Sequence, residues 1–213
     1  MVHVLRQRSL PIGGVLTTIN EVAQRVAMHA VRVELLEAQA EALRLPLWKV
    51  PIPSPCPNEV YERQMSAAVE RAVADGFTHV AFADLFLRDI RRYREDRLAG
   101  TGLTPMFPLF GNEDATAALA RDMIAAGVRA RITCVDPRQL DRRFAGRDFD
   151  EMLLDDLPAS VDPCGERGEF HTFAYAGPMF AKPITVDTGP SVERDGFVFT
   201  DLTCGAIQSA SSV

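Results

Sequence analysis

The feature that most constrains the fold is a regular alternation of helix and strand patterns along the first 137 residues. Each helical stretch has apolar residues near the spacing of one helix face, and a short β-branched or apolar run follows it after a Gly or Pro joint. Such alternation predicts an α/β fold, with a parallel sheet covered by helices on both faces. After a first strand at 12–20, the helix and strand patterns cover 20–45 and 46–53, 58–77 and 78–86, and 112–128 and 129–137.

Beyond Pro137 the pattern changes. Residues 138–158 are typical of short helices and turns, and apolar runs after them predict strands with antiparallel character. We therefore expect an α/β domain at 1–137 and a smaller α+β region at 138–204. The small and polar residues 205–213 are predicted to form a flexible tail.

The composition narrows the class of protein. With 29 acidic and 23 basic side chains, the net charge of −6 gives no general attraction to nucleic acids or anionic membranes. No apolar run approaches the roughly 20 residues of a membrane helix. The four cysteines show no CxxC pair or zinc-type spacing, so we expect reduced thiols and no metal site. A cytoplasmic protein without nucleic-acid or membrane partners is predicted.

The segment DPCGERGEFHTF at 162–173 contains two glutamates and a histidine close to two glycines. In an extended chain, Glu169 and His171 would point to the same face, and turns at the glycines would bring Glu166 beside them. Such a cluster suits ammonium binding or proton removal from a nucleophile. The alternative is a Gly-rich turn with surface carboxylates. A metal site that uses Cys164 and His171, with or without Cys134, fits no common zinc spacing.

Several motifs in order resemble the diphthine–ammonia ligase family. They are TTINE, MHAVR, NEVYE, AFADLFLRDIRRYRE, GLTPMFPLF, ITCVDP, FAGRDFD and DPCGERGEFHTFAYAGPMF, and they run through nearly the whole chain. The resemblance implies a Rossmann-like sheet of the HUP type, as in the ATP pyrophosphatases with a phosphate-binding PP-loop. It also implies a ligase that adenylylates a carboxylate with ATP, with Mg²⁺ as the usual counter-ion, and transfers ammonia to it. ATP, ammonia and a carboxylate substrate would be its partners, and a homo-oligomer is left open.

One family motif is missing from the sequence. The family's phosphate-binding loop, S-G-G-K-D-S after a first strand, is not found, and Gly13 and Gly14 do not replace it because no Lys or Ser accompanies them. We expect the chain to lack the first strand of the family fold and the loop after it, because of a misplaced start codon or a truncated gene. The alternative is a shortened, catalytically inactive nucleotide-binding module without ATP turnover.

The resemblance assigns roles near the predicted strand ends. Asp84 ends the strand at 78–86, where open α/β sheets place ligand-binding residues, and it joins Glu166, Glu169 and His171 as a catalytic candidate. Its alternative role is an N-cap for the next helix. The neighbouring Ala83 stands where family members usually carry glycine, and it is assigned to nucleotide binding.

The remaining candidates come from four motifs, TTINE, MHAVR, NEVYE and DIRRYRE, and each motif has a structural alternative. Thr18, Asn20 and Asn58 could instead cap helices. The helical His29 could be a surface residue or a core residue whose hydrogen bonds are satisfied. The arginines of DIRRYRE could belong to a solvated, salt-bridged helix face. The resemblance assigns nucleotide binding to Thr18, Asn20 and His29, and substrate binding to Asn58, Glu59, Tyr61, Arg91 and Arg94.

Overall fold

A computed structural model describes residues 1–27 and 29–205 and gives a mixed α/β fold. Over these residues the helices are α1 (Val2–Gln7), α2 (Val33–Leu43), α3 (Asn58–Ala74), α4 (Arg88–Leu98), α5 (Thr116–Ala125) and α6 (Glu151–Asp156). The strands are β1 (Val15–Asn20), β2 (Arg25–Val26), β3 (Leu47–Ile52), β4 (His79–Ala81), β5 (Thr104–Met106), β6 (Arg129–Val135), β7 (Phe170–Ala176), β8 (Val186–Arg194) and β9 (Phe197–Cys204). The α/β class is confirmed.

The strands form three separate sheets. β1 pairs in parallel with β3, with Val15 opposite Leu47 and Asn20 opposite Ile52, and β2 adds to β1 in antiparallel fashion. β4 and β5 form a second parallel pair. The third sheet, in the order β7-β6-β9-β8, is antiparallel. The single Rossmann-like parallel sheet is therefore not confirmed in the described part of the chain.

The predicted helix at 20–45 is wrong in its first half. Asn20 Oδ1 accepts hydrogen bonds from the Val22 and Ala23 amides at 3.1 and 2.9 Å, which closes a turn instead of capping a helix. Gln24 then has a φ of 50°, and β2 follows. The helix itself begins only at Val33.

The other helix predictions are confirmed, whereas one strand is shorter than expected. α3 and α5 lie within their predicted stretches, and Gly76 and Gly127 beyond them have positive φ, as glycines after helices often do. The strand predicted at 78–86 ends at Ala81, and residues 82–87 form a loop before α4. That loop contains Asp84.

The largest apolar cluster lies in the C-terminal half. It surrounds β6 and packs α5, α6 and β7 around fully buried side chains; its buried members are Ala120, Ala130, Ile132, Val135, Leu140, Phe144, Phe149, Leu153, Val161, Phe170 and Val198. A second cluster joins α2 to β7 and β9 through Val31, Leu35, Ala42, Phe173, Ile184 and Leu202. β7 therefore belongs to both clusters, and it connects the two halves of the chain.

The predicted antiparallel character of the C-terminal region is confirmed. β6, expected in the parallel sheet, pairs instead with β7 and β9, because the partners that follow it in the chain return in the opposite direction. The division at residue 137 stays a prediction. The predicted flexible tail lies, from residue 206 onward, outside the described residues. In the part of the chain that the structure describes, no helix is long and apolar enough to cross a membrane.

Candidate functional site

The loop between Asp162 and Phe170 is a compact turn built on its two glycines. Gly165 and Gly168 have φ values of 70° and 82°, which glycine adopts without strain. A Cβ at Gly165 would lie 2.7 Å from the Phe170 carbonyl oxygen, so a larger residue would displace the strand. Asp162 Oδ2 accepts hydrogen bonds from the Cys164 and Glu166 amides at 3.2 and 2.9 Å. The sharp turn predicted from the glycines is confirmed.

Glu169 lies inside this loop instead of on its surface. Only 1% of the residue is exposed. Its carboxylate accepts hydrogen bonds from the Asp162 and Arg167 amides, both at 2.9 Å, and the Arg167 guanidinium lies 3.8 Å away. These contacts hold the loop closed around the carboxylate, so Glu169 stabilises the loop conformation.

Glu166 connects the loop to the end of β4. Its Oε1 accepts a hydrogen bond from the Leu85 amide at 2.7 Å. Burial raises the pKa of the Glu166 carboxyl, and the nearby charges of Asp84 and Asp162 raise it further. The turn thus brings together two predicted site residues, Glu166 and Asp84, that lie far apart in the sequence.

Asp84 is paired with an arginine on the following helix. Arg94 donates to both Asp84 carboxylate oxygens, at 2.6 and 3.1 Å, and its guanidinium lies 4.4 Å from the centre of the Phe82 ring. The alternative role of Asp84 as an N-cap is wrong, because α4 begins at Arg88 with Leu87 as its N-cap. Ala83 precedes Asp84 in the same loop.

Arg91 is held between an acid on its own helix and two aromatic rings. It donates to Glu95, one helical turn further along α4, at 2.8 Å, and its guanidinium lies 4.9 and 4.8 Å from the ring centres of Phe107 and Phe110. Both Arg91 and Arg94 are partly exposed. They combine the predicted salt bridges of α4 with guanidinium groups placed beside the loop after β4.

His29 and His171 form a second pair of predicted site residues. Their ring centres lie 4.4 Å apart, with the rings tilted by 40°. Burial, followed by the proximity of His171, lowers the pKa of His29 from 6.5 to about 4. A hydrogen bond with the Thr172 backbone raises this pKa and offsets part of the effect. Burial also lowers the pKa of His171. Both imidazoles are therefore neutral near pH 7. His29 lies in a turn after β2, so its predicted helical position is wrong.

The remaining predicted residues lie in β1 and in the first turn of α3. Thr18 is in β1, where its carbonyl accepts a hydrogen bond from the Ala27 amide at 3.2 Å, and Asn20 closes the turn after that strand. Asn58, Glu59 and Tyr61 form the first turn of α3. Asn58 is not the cap of that helix, because Pro57 occupies the N-cap position.

Sequence reasoning missed two residues of the site. Asp162 is 3% exposed and organises the turn through its Oδ2 contacts. Arg167 pairs with Glu113 and lies over the Phe86 ring, 5.1 Å from its centre. An aspartate two positions before a Cys-Gly pair is typical of an Asx-type turn, which was the available signal for Asp162.

Of the two cysteines near the site, Cys134 is buried and Cys164 is partly buried. Burial raises the pKa of Cys134 to about 11 and that of Cys164 to about 12. Cys164 Sγ also donates a hydrogen bond to the Thr116 carbonyl oxygen at 3.5 Å. Within residues 1–27 and 29–205, no group of three or more His, Cys, Asp or Glu side chains is arranged to hold a metal ion.

Comparison with known proteins gives matches that include the Asp162–Phe170 loop. Residues 115–209 match the family model of the diphthamide synthase C-terminal domain, which includes the Asp162–Phe170 loop. The resemblance to the diphthine–ammonia ligase family is confirmed. The diphthine–ammonia ligase of Bos taurus is 27% identical over 200 residues, which cover 84% of this chain and 70% of that protein. The Rattus norvegicus diphthine–ammonia ligase is 36% identical over 89 residues, 39% of this chain and 33% of its own length.

Proposed function

We propose that this protein is an ATP-dependent amide ligase of the diphthine–ammonia ligase type. In the first step, an oxygen of the substrate carboxylate attacks the α-phosphorus of ATP, and the bond to pyrophosphate breaks. In the second step, the nitrogen of ammonia attacks the acyl carbon, and the bond to AMP breaks. The added nitrogen loses a proton to a base, so the products are the amide, AMP and pyrophosphate.

The observation that carries the proposal is the hydrogen bond from the Leu85 amide to Glu166, beside Asp84. It puts the acidic loop of the C-terminal region next to the carboxyl end of a parallel strand, where open α/β sheets bind ligands. The two relatives named diphthine–ammonia ligase supply the class of reaction. We propose that the two parallel pairs are parts of a Rossmann-like nucleotide-binding sheet.

The described contacts support different roles for the two glutamates. Both oxygens of Glu169 accept backbone amides, so we propose that it maintains the loop. Glu166 accepts the Leu85 amide of the loop after β4, so we propose that it positions the neighbouring Asp84 next to the reacting groups. His171 is neutral because burial lowers its pKa, and a neutral imidazole suits the base that accepts the proton from the attacking nitrogen.

The arginines and the strand ends complete the proposed site. Guanidinium groups bind phosphate oxygens through paired donors, so Arg91 and Arg94 are proposed to contact the triphosphate or the substrate carboxylate. Thr18, Asn20, His29 and Ala83 are proposed nucleotide contacts, and Asn58, Glu59 and Tyr61 are proposed substrate contacts. Mg²⁺ would accompany ATP. A cytoplasmic location, a homo-oligomer, and no binding to nucleic acid or membranes stay predictions.

The test is ammonium-dependent release of pyrophosphate and AMP from ATP, with a diphthine-containing protein as the carboxylate substrate. We expect His171→Ala to lower kcat by about 100-fold or more, because general-base catalysis contributes a factor of that order. The matched control is His79→Ala, since His79 is exposed at the start of β4. Full turnover in His171→Ala would remove the role proposed for that residue. No turnover by the unmodified chain would favour the nucleotide-binding module without ATP turnover.

A further inference from the structure

Asp162 has an unusual environment for a buried carboxylate. The residue is 3% exposed, and its Oδ2 accepts two backbone amides. Its Oδ1 is buried and is the one buried side-chain oxygen or nitrogen in the described part of the chain without a hydrogen-bond partner from the protein. Leaving such a group unsatisfied costs about 1–3 kcal/mol, and more for a charged group. A buried oxygen of this kind implies a donor that binds to it.

The charges around Asp162 indicate what kind of donor is favoured. Neither nearby guanidinium group hydrogen-bonds Asp162, since Arg94 is bound to Asp84, and Arg167 is bound to Glu113 and lies 3.8 Å from Glu169. The carboxylates of Asp162, Glu166 and Glu169 lie within one short turn, and burial, followed by the charges of Asp84 and Asp162, raises the pKa of the Glu166 carboxyl. A small cation would relieve this repulsion better than a neutral donor.

A metal ion fits this arrangement poorly. Divalent cations take about six or more oxygen ligands, and in the described residues no three acidic, His or Cys side chains converge as donors. The amides of Asp162, Cys164, Glu166 and Arg167 already occupy several oxygens of Asp162 and Glu169. A single free carboxylate oxygen is instead suited to one directional N–H donor.

We propose that Asp162 Oδ1 binds ammonium and so forms the subsite for the nitrogen substrate. This inference rests on the proposed ligase function for its meaning, but the binding itself does not require turnover. Ammonium would donate one N–H to Asp162 Oδ1, with the charges of Glu166 and Glu169 favouring its capture. Asp162 is then a substrate-binding residue in addition to the residue that organises the turn.

The first test measures thermal unfolding of the full chain without ATP, in ammonium chloride, sodium chloride and tetramethylammonium chloride at equal ionic strength. Tetramethylammonium has the same charge but no N–H. We expect ammonium to raise the Tm by about 3 °C over the other salts when it is tenfold above its dissociation constant. Equal Tm values in the three salts would overturn the proposal and would indicate a bound water molecule as the partner of Asp162.

The variant for this test is Asp162→Asn. Its side-chain oxygen still accepts the Cys164 and Glu166 amides, whereas an NH₂ group replaces the free oxygen. We expect the ammonium-specific rise in Tm to disappear in Asp162→Asn and to persist in Asp195→Asn, whose side chain is 87% exposed. A cooperative melt in sodium chloride establishes that the variant is folded. Retention of the ammonium effect in Asp162→Asn would contradict the site.

A second measurement separates the subsite from the proposed function. In the pyrophosphate-release assay, Asp162→Asn should raise the KM for ammonium by about tenfold or more, while the KM for ATP is unchanged, because one charged hydrogen bond is lost. Turnover with an unchanged ammonium KM would remove the subsite and leave the ligase function. An ammonium-specific Tm rise without any turnover would support the subsite and remove the ligase function.

Discussion

The two halves of the molecule differ in how much of their surface is buried. In α3, all of which the structure describes, no residue is buried, and α4 has only Leu98. β6, by contrast, has five buried residues among seven and lies at the centre of the largest apolar cluster. The difference indicates that β6 and its neighbours form a well-packed core, whereas α3 and α4 of the N-terminal half remain open to solvent.

The proposed site lies where the two halves meet. Glu166 contacts the loop after β4, and His171 contacts His29 beyond β2. Asp201 on β9 pairs with Arg25 and Arg32, which flank the turn that carries His29. The well-packed half thus presents one segment, 162–171, to the loop after β4 and to the turn after β2. Proteins commonly place functional loops on a rigid scaffold in this way.

The largest expected effect comes from matched leucine truncations in the two halves. Leu153 is fully buried in the C-terminal cluster, and Leu16 on β1 is 42% exposed. Leu153→Ala should lower the free energy of unfolding by about 2–5 kcal/mol, because it leaves a cavity. Leu16→Ala should lower it by under about 1 kcal/mol. Urea unfolding measures both, and equal losses would invalidate the contrast between the halves.

A smaller effect is expected from the buried glutamate of the loop. Glu169→Ala removes the acceptor for the Asp162 and Arg167 amides and should lower the free energy of unfolding by about 2–3 kcal/mol. The control is Glu193→Ala, because the Glu193 side chain is 53% exposed and pairs with Arg142 at the surface. A change below about 0.5 kcal/mol in urea unfolding of Glu169→Ala would contradict its structural role.

The smallest effect concerns pH. His29 has a pKa of about 4 in the folded chain against 6.5 for a free histidine, so between these values the unfolded chain binds a proton that the folded chain does not. The free energy of unfolding should therefore fall as pH falls through this window. His29→Gln should reduce the fall between pH 7.5 and 5 by about 1–2 kcal/mol, measured by urea unfolding at both pH values. An unchanged fall would show that His29 titrates normally.

Local sequence patterns predicted those helices and strands whose type is set by residues nearby in the sequence. The periodicity of α3 and α5 and the apolar runs of β1 and β3 indicated the correct element type because these signals are short-range. The turn after Asn20 was missed because a side-chain contact with two amides overrides the apolar periodicity of residues 22–43. The pairing of β6 with β7 is a contact between distant segments, which no local signal specifies.

The same distinction applies to the site. The glycines of the 162–170 turn predicted its shape, since each must adopt a positive φ. The inward position of Glu169 and the organising role of Asp162 depend on backbone amides that come together only in the folded turn. The grouping of Asp84 with Glu166 came from the resemblance to a known family. The contact between Glu166 and Leu85 was not predicted, because spacing alone does not connect residues so far apart in the chain.

The central claim is that Glu166 joins the C-terminal loop to the end of β4. Amide hydrogen exchange of the Leu85 N–H group in Glu166→Ala tests it most directly, with Glu193→Ala as the control. This amide should exchange about tenfold faster or more in Glu166→Ala, because it loses its acceptor, which is worth about 1.5 kcal/mol or more. Exchange at the β6 amides should be unchanged. Unaltered exchange at Leu85 would contradict the claim.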